Sequence, residues 1–275
     1  MTVSETQPAS LMAGKKGLIL GVANERSIAW GVARALHAQG ASLAFTYQGE
    51  AFGKRVRPLA EGVGSPLVMD CDVTDAGSLD ALFSALAETW GGIDFLVHAI
   101  AYSDKDELNG RYVDTTAENF ERTMRISCYS FTELARRAAA LMPDGGSLVT
   151  LTYLGANRVI PNYNVMGVAK AALEASVKYL AADLGPAGIR VNAVSAGPMR
   201  TLAGSAIGAA RKIYGISEAN APLRISVSLE QVGNAALYLL SGLSSGVTGE
   251  IHYVDGGYHA IGLPFNSPGN PPGNP

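Results

Sequence analysis

Charge is scarce in this chain. Only 16% of its 275 residues are charged, and the formal net charge is -3. No basic surplus asks for nucleic acid, and no basic amphipathic stretch asks for a membrane surface. Cysteine is scarcer: Cys71 and Cys128 are the whole complement, and they form no close pair. That excludes a disulfide framework and makes a reducing compartment, the cytoplasm, the expected home. The 4 histidines are scattered, and with the cysteines they show no metal-ligand spacing. There is no GxSxG elbow and no GxxxxGKS/T loop. No apolar run reaches transmembrane length, so no membrane insertion is expected. Residues 1–10 are polar and acidic and do not read as a signal peptide. What is plentiful is apolar side chain, 48% of the total, enough for one large core. Low charge with much Ala and Gly also suits a surface partly buried between subunits.

Short, near-continuous apolar runs at 16–21, 41–47, 66–72, 93–99, 146–152, 188–195 and 249–254 predict strands. Helical patterns at 27–39, 49–60, 75–90, 116–141, 161–184 and 229–240 alternate with them. Gly40 and Gly91-Gly92 stop two of these helices, and Thr115 or Thr116 caps another. Apolar strands separated by helices predict a parallel sheet covered on both faces. The expected fold is a Rossmann-type, doubly wound α/β/α sandwich of about seven strands. Residues 14–262 read as a single domain. A flexible leader at 1–13 and a Pro/Gly/Asn-rich flexible tail at 263–275 flank it. The stretch 199–219 reads as an irregular substrate lid or as an ordinary crossover helix.

In such a fold the ligand lies at the carboxyl ends of the strands. The first strand runs into Gly21, and Ser27 and Ile28 open the next helix. A glycine there lets the backbone pass close to a pyrophosphate, and the helix offers free N–H groups. The full GxGxxG pattern is missing: Gly21 matches one glycine position and Ala23 is a small stand-in at the next. Alone, this loop is as well explained as an ordinary turn; its place after the first strand favours the phosphate. The second strand ends at Gln48, where many NAD sites carry an acid for the ribose hydroxyls. Lys54 and Arg55, just beyond Glu50, either meet a 2′-phosphate or face solvent. Asp72 and Val73 close the third strand, a natural place for an adenine. The fourth closes on His98-Ala99-Ile100-Ala101, whose small residues let a nicotinamide ribose lie against the backbone. His98 itself reads as a satisfied core histidine rather than a base.

Tyr163 and Lys170 are two turns apart on a predicted helix and share a face. An ammonium near a phenol favours the phenolate, lowers the tyrosine pKa and stabilises an adjacent oxyanion. A surface Tyr and Lys at helical spacing is the plain alternative. Against it, Lys170 is the only charged side chain between Arg158 and Glu174. Tyr153 follows a strand, ten residues before Tyr163. It is either a core aromatic or a bulky pocket wall where a ketone reductase would carry a small hydroxyl.

Tyr153, the run Tyr163-Asn-Val-Met166-Gly-Val-Ala-Lys170 and the run from Arg190 to Ala203 closely resemble bacterial enoyl-(acyl-carrier-protein) reductases. These are NADH-using enzymes of type II fatty-acid synthesis, a divergent branch of the short-chain dehydrogenase/reductase family. The resemblance spans about 14–262. Its specific part is the Tyr-x6-Lys spacing, since ordinary members carry Tyr-x3-Lys and a catalytic serine ahead of it. The resemblance implies that Tyr163 is the catalytic tyrosine. It implies that Lys170 binds the nicotinamide ribose and helps hold charge, and that Tyr153 lines the pocket in place of the serine. Gly21, Ser27 and Ile28 would surround the pyrophosphate, Gln48 would reach the adenosine ribose, Asp72 and Val73 would flank the adenine, and Ile100 the nicotinamide ribose. Met199, Arg200, Thr201, Leu202 and Ala203 would wrap the nicotinamide amide and phosphate. Ser103 and Ile207, with Tyr153 and Tyr163, would contact substrate. The implied cofactor is NADH, with Gln48 arguing against NADPH. The implied partners are acyl carrier protein bearing enoyl chains, with Arg211 and Lys212 as docking candidates, and further copies of the chain in a homotetramer. Ala99 and Ala101 replace the familiar Ser and Gly, small for small, and Ser127 replaces the asparagine of the broad family. A ketoreductase and a non-catalytic dinucleotide-binding regulator are the competing readings. Tyr153 and the spacing disfavour the first, and the presence of both Tyr163 and Lys170 disfavours the second.

Overall fold

Seven apolar runs become seven parallel strands. The computed structural model describes residues 10–201 and 210–263. Leu202, Ala203 and Ile207, residues 1–9 of the expected leader and 264–275 of the expected tail lie outside the described residues. The strands are β1 (Lys16–Leu20), β2 (Ser42–Tyr47), β3 (Leu67–Asp70), β4 (Phe95–His98), β5 (Gly146–Thr152), β6 (Ile189–Ala196) and β7 (Ile251–Val254). They form one sheet in the order β3-β2-β1-β4-β5-β6-β7, with every pairing parallel. The helices are α1 (Ile28–Ala38), α2 (Glu50–Gly62), α3 (Ala76–Trp90), α4 (Ala117–Met124), α5 (Ser130–Ala140), α6 (Asn164–Leu184), α7 (Ala210–Asn220) and α8 (Leu229–Leu240).

Helices cover both faces; the central strands are buried on both sides, while the edge strands β3 and β7 are only partly buried. On β1, Leu18 and Leu20 join Leu82 of α3, Phe131 of α5 and Leu173 of α6 in one apolar layer. Ile19, between them, joins Val32 of α1 and Val232 of α8 in the other. That is why these strands read as continuous apolar runs rather than as alternating ones. The strand order reverses between β1 and β4, and such a reversal opens a crevice at the carboxyl ends of the strands.

Caps fix several helix starts. Thr116 accepts a hydrogen bond from the Asn119 N–H at 3.2 Å, which settles the cap of α4 in favour of Thr116 over Thr115. Ser228 and Gln231 form a reciprocal capping box on α8, a device worth about 1 kcal/mol.

Three expected boundaries are corrected. The helix expected over 116–141 is interrupted by a π-helical turn at Arg125–Tyr129, which joins α4 to α5. The Ser127 hydroxyl within it accepts from the Tyr102 N–H at 2.9 Å and donates to the Tyr102 carbonyl at 3.0 Å, clasping the loop after β4. The helix expected from 161 begins at Asn164 instead. Asn162 and Asn164 both take positive φ, at 61° and 37°, a region asparagine tolerates better than most residues. Within the stretch expected to be irregular, Ala210–Asn220 is a regular helix.

Candidate active site

The cofactor side of the crevice is shaped by missing atoms. Gly21 has a φ of 98°, and a Cβ there would lie 2.2 Å from the Ala99 carbonyl oxygen. Only glycine lets the end of β1 close on the end of β4 in this way. Ser27 stands extended at the start of α1 and does not cap it with its side chain. Its hydroxyl oxygen instead accepts from the Ala23 and Asn24 N–H groups, at 2.9 and 3.1 Å. The loop is closed on itself, and the first turn of α1 is left open to an anion. Ile28 packs on the apolar layer below.

At the next strand ends, Gln48 lies near the Asp72 carboxylate and helps to hold its pKa down. Thr74 donates to the same carboxylate from its N–H at 2.8 Å and its hydroxyl at 2.7 Å. Burial raises the Asp72 carboxyl, but these bonds outweigh burial and hold it below its ordinary range. Val73 and Ile100 pack against the layer on the α3 side. A cradle that a Cβ would fill, an open helix terminus and an ordered carboxylate therefore lie along one edge, and they fit a dinucleotide. Lys54 and Arg55 are exposed. A cation fixed at this edge is Arg57, which the sequence does not single out. It pairs with both Glu50 carboxylate oxygens at 2.9 and 2.8 Å, donates to the Tyr47 hydroxyl at 2.6 Å and lies over the Tyr47 ring at 4.8 Å.

Beyond β6, Met199 packs against the α1–α8 layer, Arg200 is exposed, and the Thr201 N–H bonds the Met199 carbonyl at 2.9 Å. Together with Tyr214 and Glu218 of α7 these residues line a cleft of about 550 Å³. The Tyr214 hydroxyl is buried with no hydrogen-bond partner among the described residues. The side chains of Arg211 and Lys212 are outside those described.

The chemical side is built from buried polar groups. Tyr163 and Lys170 are only 7% and 5% exposed. The Lys170 ammonium donates to the Leu151 carbonyl at 2.8 Å. The Tyr163 ring lies on Gly155, where a Cβ would sit 2.3 Å from Cδ1. Tyr153 and Tyr163 meet edge-on, 5.2 Å between ring centres and 78° between planes. Burial lowers the Lys170 pKa to about 8, with Cys128 and Glu174 opposing it. Burial, then Tyr258, Tyr214 and Asp255, push the Tyr153 phenol up to about 12. Burial, then Tyr153 and Glu174, push the Tyr163 phenol well above its ordinary value. This corrects the expectation that Lys170 draws Tyr163 toward the phenolate: desolvation wins, and the ammonium is turned to Leu151. Tyr163 keeps its proton at neutral pH and is a hydrogen-bond donor.

Ser103 lies in a polar cluster on the loop after β4, accepting from the Thr123 hydroxyl at 3.0 Å and the Asn119 amide at 3.2 Å. His98 is fully buried, with its ring nitrogens 2.8 Å from Thr150 Oγ1 and 2.9 Å from Ser130 Oγ. Burial, then Lys170, push its pKa down to about 3. It is a neutral, satisfied core histidine. Two residues near Tyr163 escape the sequence reading. Asn164 donates to the carbonyls of Glu107, Leu108 and Gly110 at 3.3, 3.2 and 3.3 Å, anchoring the loop ahead of α4. Glu174, which in the sequence only marks the edge of a charge-poor run, is a buried carboxylate bonded to Thr152 and Asn157. Among the described residues no cluster of His, Cys, Asp and Glu is placed to hold a metal ion, and no helix is long and apolar enough to cross a membrane.

A family model described as Enoyl-(Acyl carrier protein) reductase matches residues 21–259. The chain is 65% identical over 254 residues to the enoyl-(acyl-carrier-protein) reductase (NADH) 2 of Rhizobium meliloti (strain 1021), covering 92% of this chain and 95% of that protein. It is 59% identical to the enoyl-(acyl-carrier-protein) reductase (NADH) of Rickettsia felis, over 92% of this chain and 97% of the relative. Among solved structures, the reductase of Anaplasma phagocytophilum in complex with NAD matches with a TM-score of 0.90 at 59% identity, over 92% and 97% of the two chains. The matched region takes in β2–β7, all eight helices and both sides of the crevice, so the chain belongs to the enoyl-(acyl carrier protein) reductase family.

Proposed function

We propose that Tyr163, Lys170 and Tyr153 carry out the reaction for which the family is named. That reaction is NADH-dependent reduction of the trans-2 double bond of an enoyl thioester on acyl carrier protein, in type II fatty-acid elongation. One observation carries this assignment of roles: Tyr163 and Lys170 are both buried, seven residues apart at the start of α6, and the Tyr153 ring lies edge-on to Tyr163 at 5.2 Å.

NADH, when bound, would supply a hydride for C3 of the acyl chain, and a proton taken up at C2 would complete the reduction. Until that proton arrives, negative charge would sit on the thioester oxygen. The Tyr163 hydroxyl donates a hydrogen bond to that oxygen, and the Lys170 ammonium holds positive charge behind it. A donor already in place in a dry site need not reorganise, and one such donor is worth about 100- to 1,000-fold in kcat. Tyr153 narrows the pocket against Tyr163, and Ser103 bounds it from the loop after β4. Gly21, Ser27 and Ile28 hold the pyrophosphate, Gln48 the adenosine ribose, and Asp72 and Val73 the adenine. Ile100 and Lys170 hold the nicotinamide ribose, and Met199, Arg200 and Thr201 the nicotinamide amide and phosphate.

Residues 14–262 act as one domain, with α7 closing over the acyl chain. α7 supplies Tyr214 and Glu218 to the cleft that Met199–Thr201 line. The family resemblance supports further copies in a homotetramer, packed on the two long helical stretches that carry the exposed Tyr129 and Tyr179. Two buried, unpaired cysteines support a cytoplasmic home.

The test is oxidation of NADH, and separately NADPH, with crotonyl thioester and with acetoacetyl thioester. The reading expects turnover of crotonyl thioester with NADH. Turnover of acetoacetyl thioester alone would contradict it and place the chain among the ketoreductases.

A further inference from the structure

Glu174 plays no part in the hydride or proton chemistry above, yet it is a carboxylate only 8% exposed. It lies one helical turn past Lys170 on the same face of α6. A buried carboxylate is costly unless its oxygens are bonded, and both are. The Thr152 hydroxyl donates to one oxygen at 2.8 Å, and the Asn157 amide donates to the other at 2.8 Å. Thr152 is the last residue of β5, and Asn157 follows the short helical turn Leu154–Ala156. Tyr153 lies between them. One carboxylate on α6 thus grips both ends of the stretch that carries Tyr153.

The middle of that stretch touches the catalytic tyrosine directly. Gly155 lies under the Tyr163 ring, and a Cβ on Gly167 of α6 would come within 2.8 Å of the Gly155 carbonyl. With contacts this close, the turn cannot shift without moving the ring. We propose that Glu174 is a positioning residue for the reduction: by holding Thr152 and Asn157 it fixes Tyr153 and the Gly155 turn against Tyr163. This inference rests on the roles proposed above for Tyr153 and Tyr163. A staple of the fold alone would, when removed, weaken every function together. A positioning residue, when removed, lowers kcat and leaves most NADH affinity intact, because the adenosine and pyrophosphate contacts proposed above lie at the ends of β1, β2 and β3.

The experiment compares Glu174→Ala, Glu174→Gln, Thr152→Val and Asn157→Ala, with Tyr153→Phe and Tyr163→Phe as references. It reads kcat and KM with crotonyl thioester, and NADH affinity by fluorescence titration. Glu174→Ala is expected to lower kcat by about tenfold or more while NADH affinity stays within about twofold. Glu174→Gln is expected to restore most of kcat. Its carbonyl still accepts from Thr152, and its amide can donate to Asn157 once the Asn157 amide turns over. Thr152→Val and Asn157→Ala each give part of the loss. A kcat within about twofold of the parent in Glu174→Ala overturns the proposal. So does an equal loss of kcat and NADH affinity that glutamine does not restore. If Glu174→Ala does not fold, unchanged kcat in both Thr152→Val and Asn157→Ala overturns it. Impaired Tyr163→Phe beside an unimpaired Glu174→Ala removes this inference alone. A fully active Tyr163→Phe removes the site reading beneath it as well.

Discussion

The two sides of the crevice are made of different material. The cofactor side takes its shape from what is missing: Gly21 has no side chain, and α1 has no side-chain cap. The chemical side takes its shape from polar groups that burial has altered: Lys170 with a lowered pKa, Tyr163 and Tyr153 with raised ones. The two sides therefore fail in opposite ways. An added atom breaks the first, and a removed atom breaks the second.

Tyr163→Phe deletes one oxygen and keeps the ring on Gly155. It should lower kcat with crotonyl thioester about 100- to 1,000-fold and leave NADH binding, followed by fluorescence, nearly unchanged. Gly21→Ala adds one carbon where the Ala99 carbonyl leaves no room. It should weaken NADH binding about tenfold or more and cost about 1–3 kcal/mol in urea unfolding. Unchanged NADH affinity there would dissolve the contrast, because the cradle would then not be a cradle.

Lys170→Met sharpens the contrast by separating stability from activity. The ammonium has a pKa of about 8 in the fold, against an ordinary 10.5. Between these values the unfolded chain binds the proton and the folded chain does not, so stability rises with pH through this window. Below about 8 the buried charge is a net burden. Lys170→Met should thus raise the melting temperature at neutral pH by about 2–4 °C and flatten the alkaline rise, while activity falls. A lower melting temperature at neutral pH would show the ammonium to be a net support of the fold. The smallest effect belongs to Glu50→Gln. The pair with Arg57 is largely exposed, and its loss should leave the urea unfolding midpoint nearly unchanged.

The sequence shows the frame of this molecule more plainly than its electrostatics. Strands buried on both faces write themselves as apolar runs, and the alternation with helices leaves few sheet arrangements open. The Tyr163–Lys170 pair is visible because helical spacing is local. The protonation of Tyr163 is not, because desolvation depends on how tightly Gly155 and Tyr153 close over the ring. Lys54 and Arg55 look as suitable as Arg57 until Tyr47 and Glu50 are seen to select the residue one turn further on. The π turn at Arg125–Tyr129 leaves no mark of its own in the helical pattern. Thr152 and Asn157 are 22 and 17 residues from Glu174, so no local pattern ties them to it.

The central claim is that Tyr163 and Lys170 act as one unit on the thioester oxygen. Its most direct test is kcat at saturating NADH with crotonyl thioester for Tyr163→Phe, Lys170→Met and the double variant. The account predicts that the double variant is no worse than the poorer single variant by more than about tenfold. Losses that multiply would show two independent contributions and contradict it.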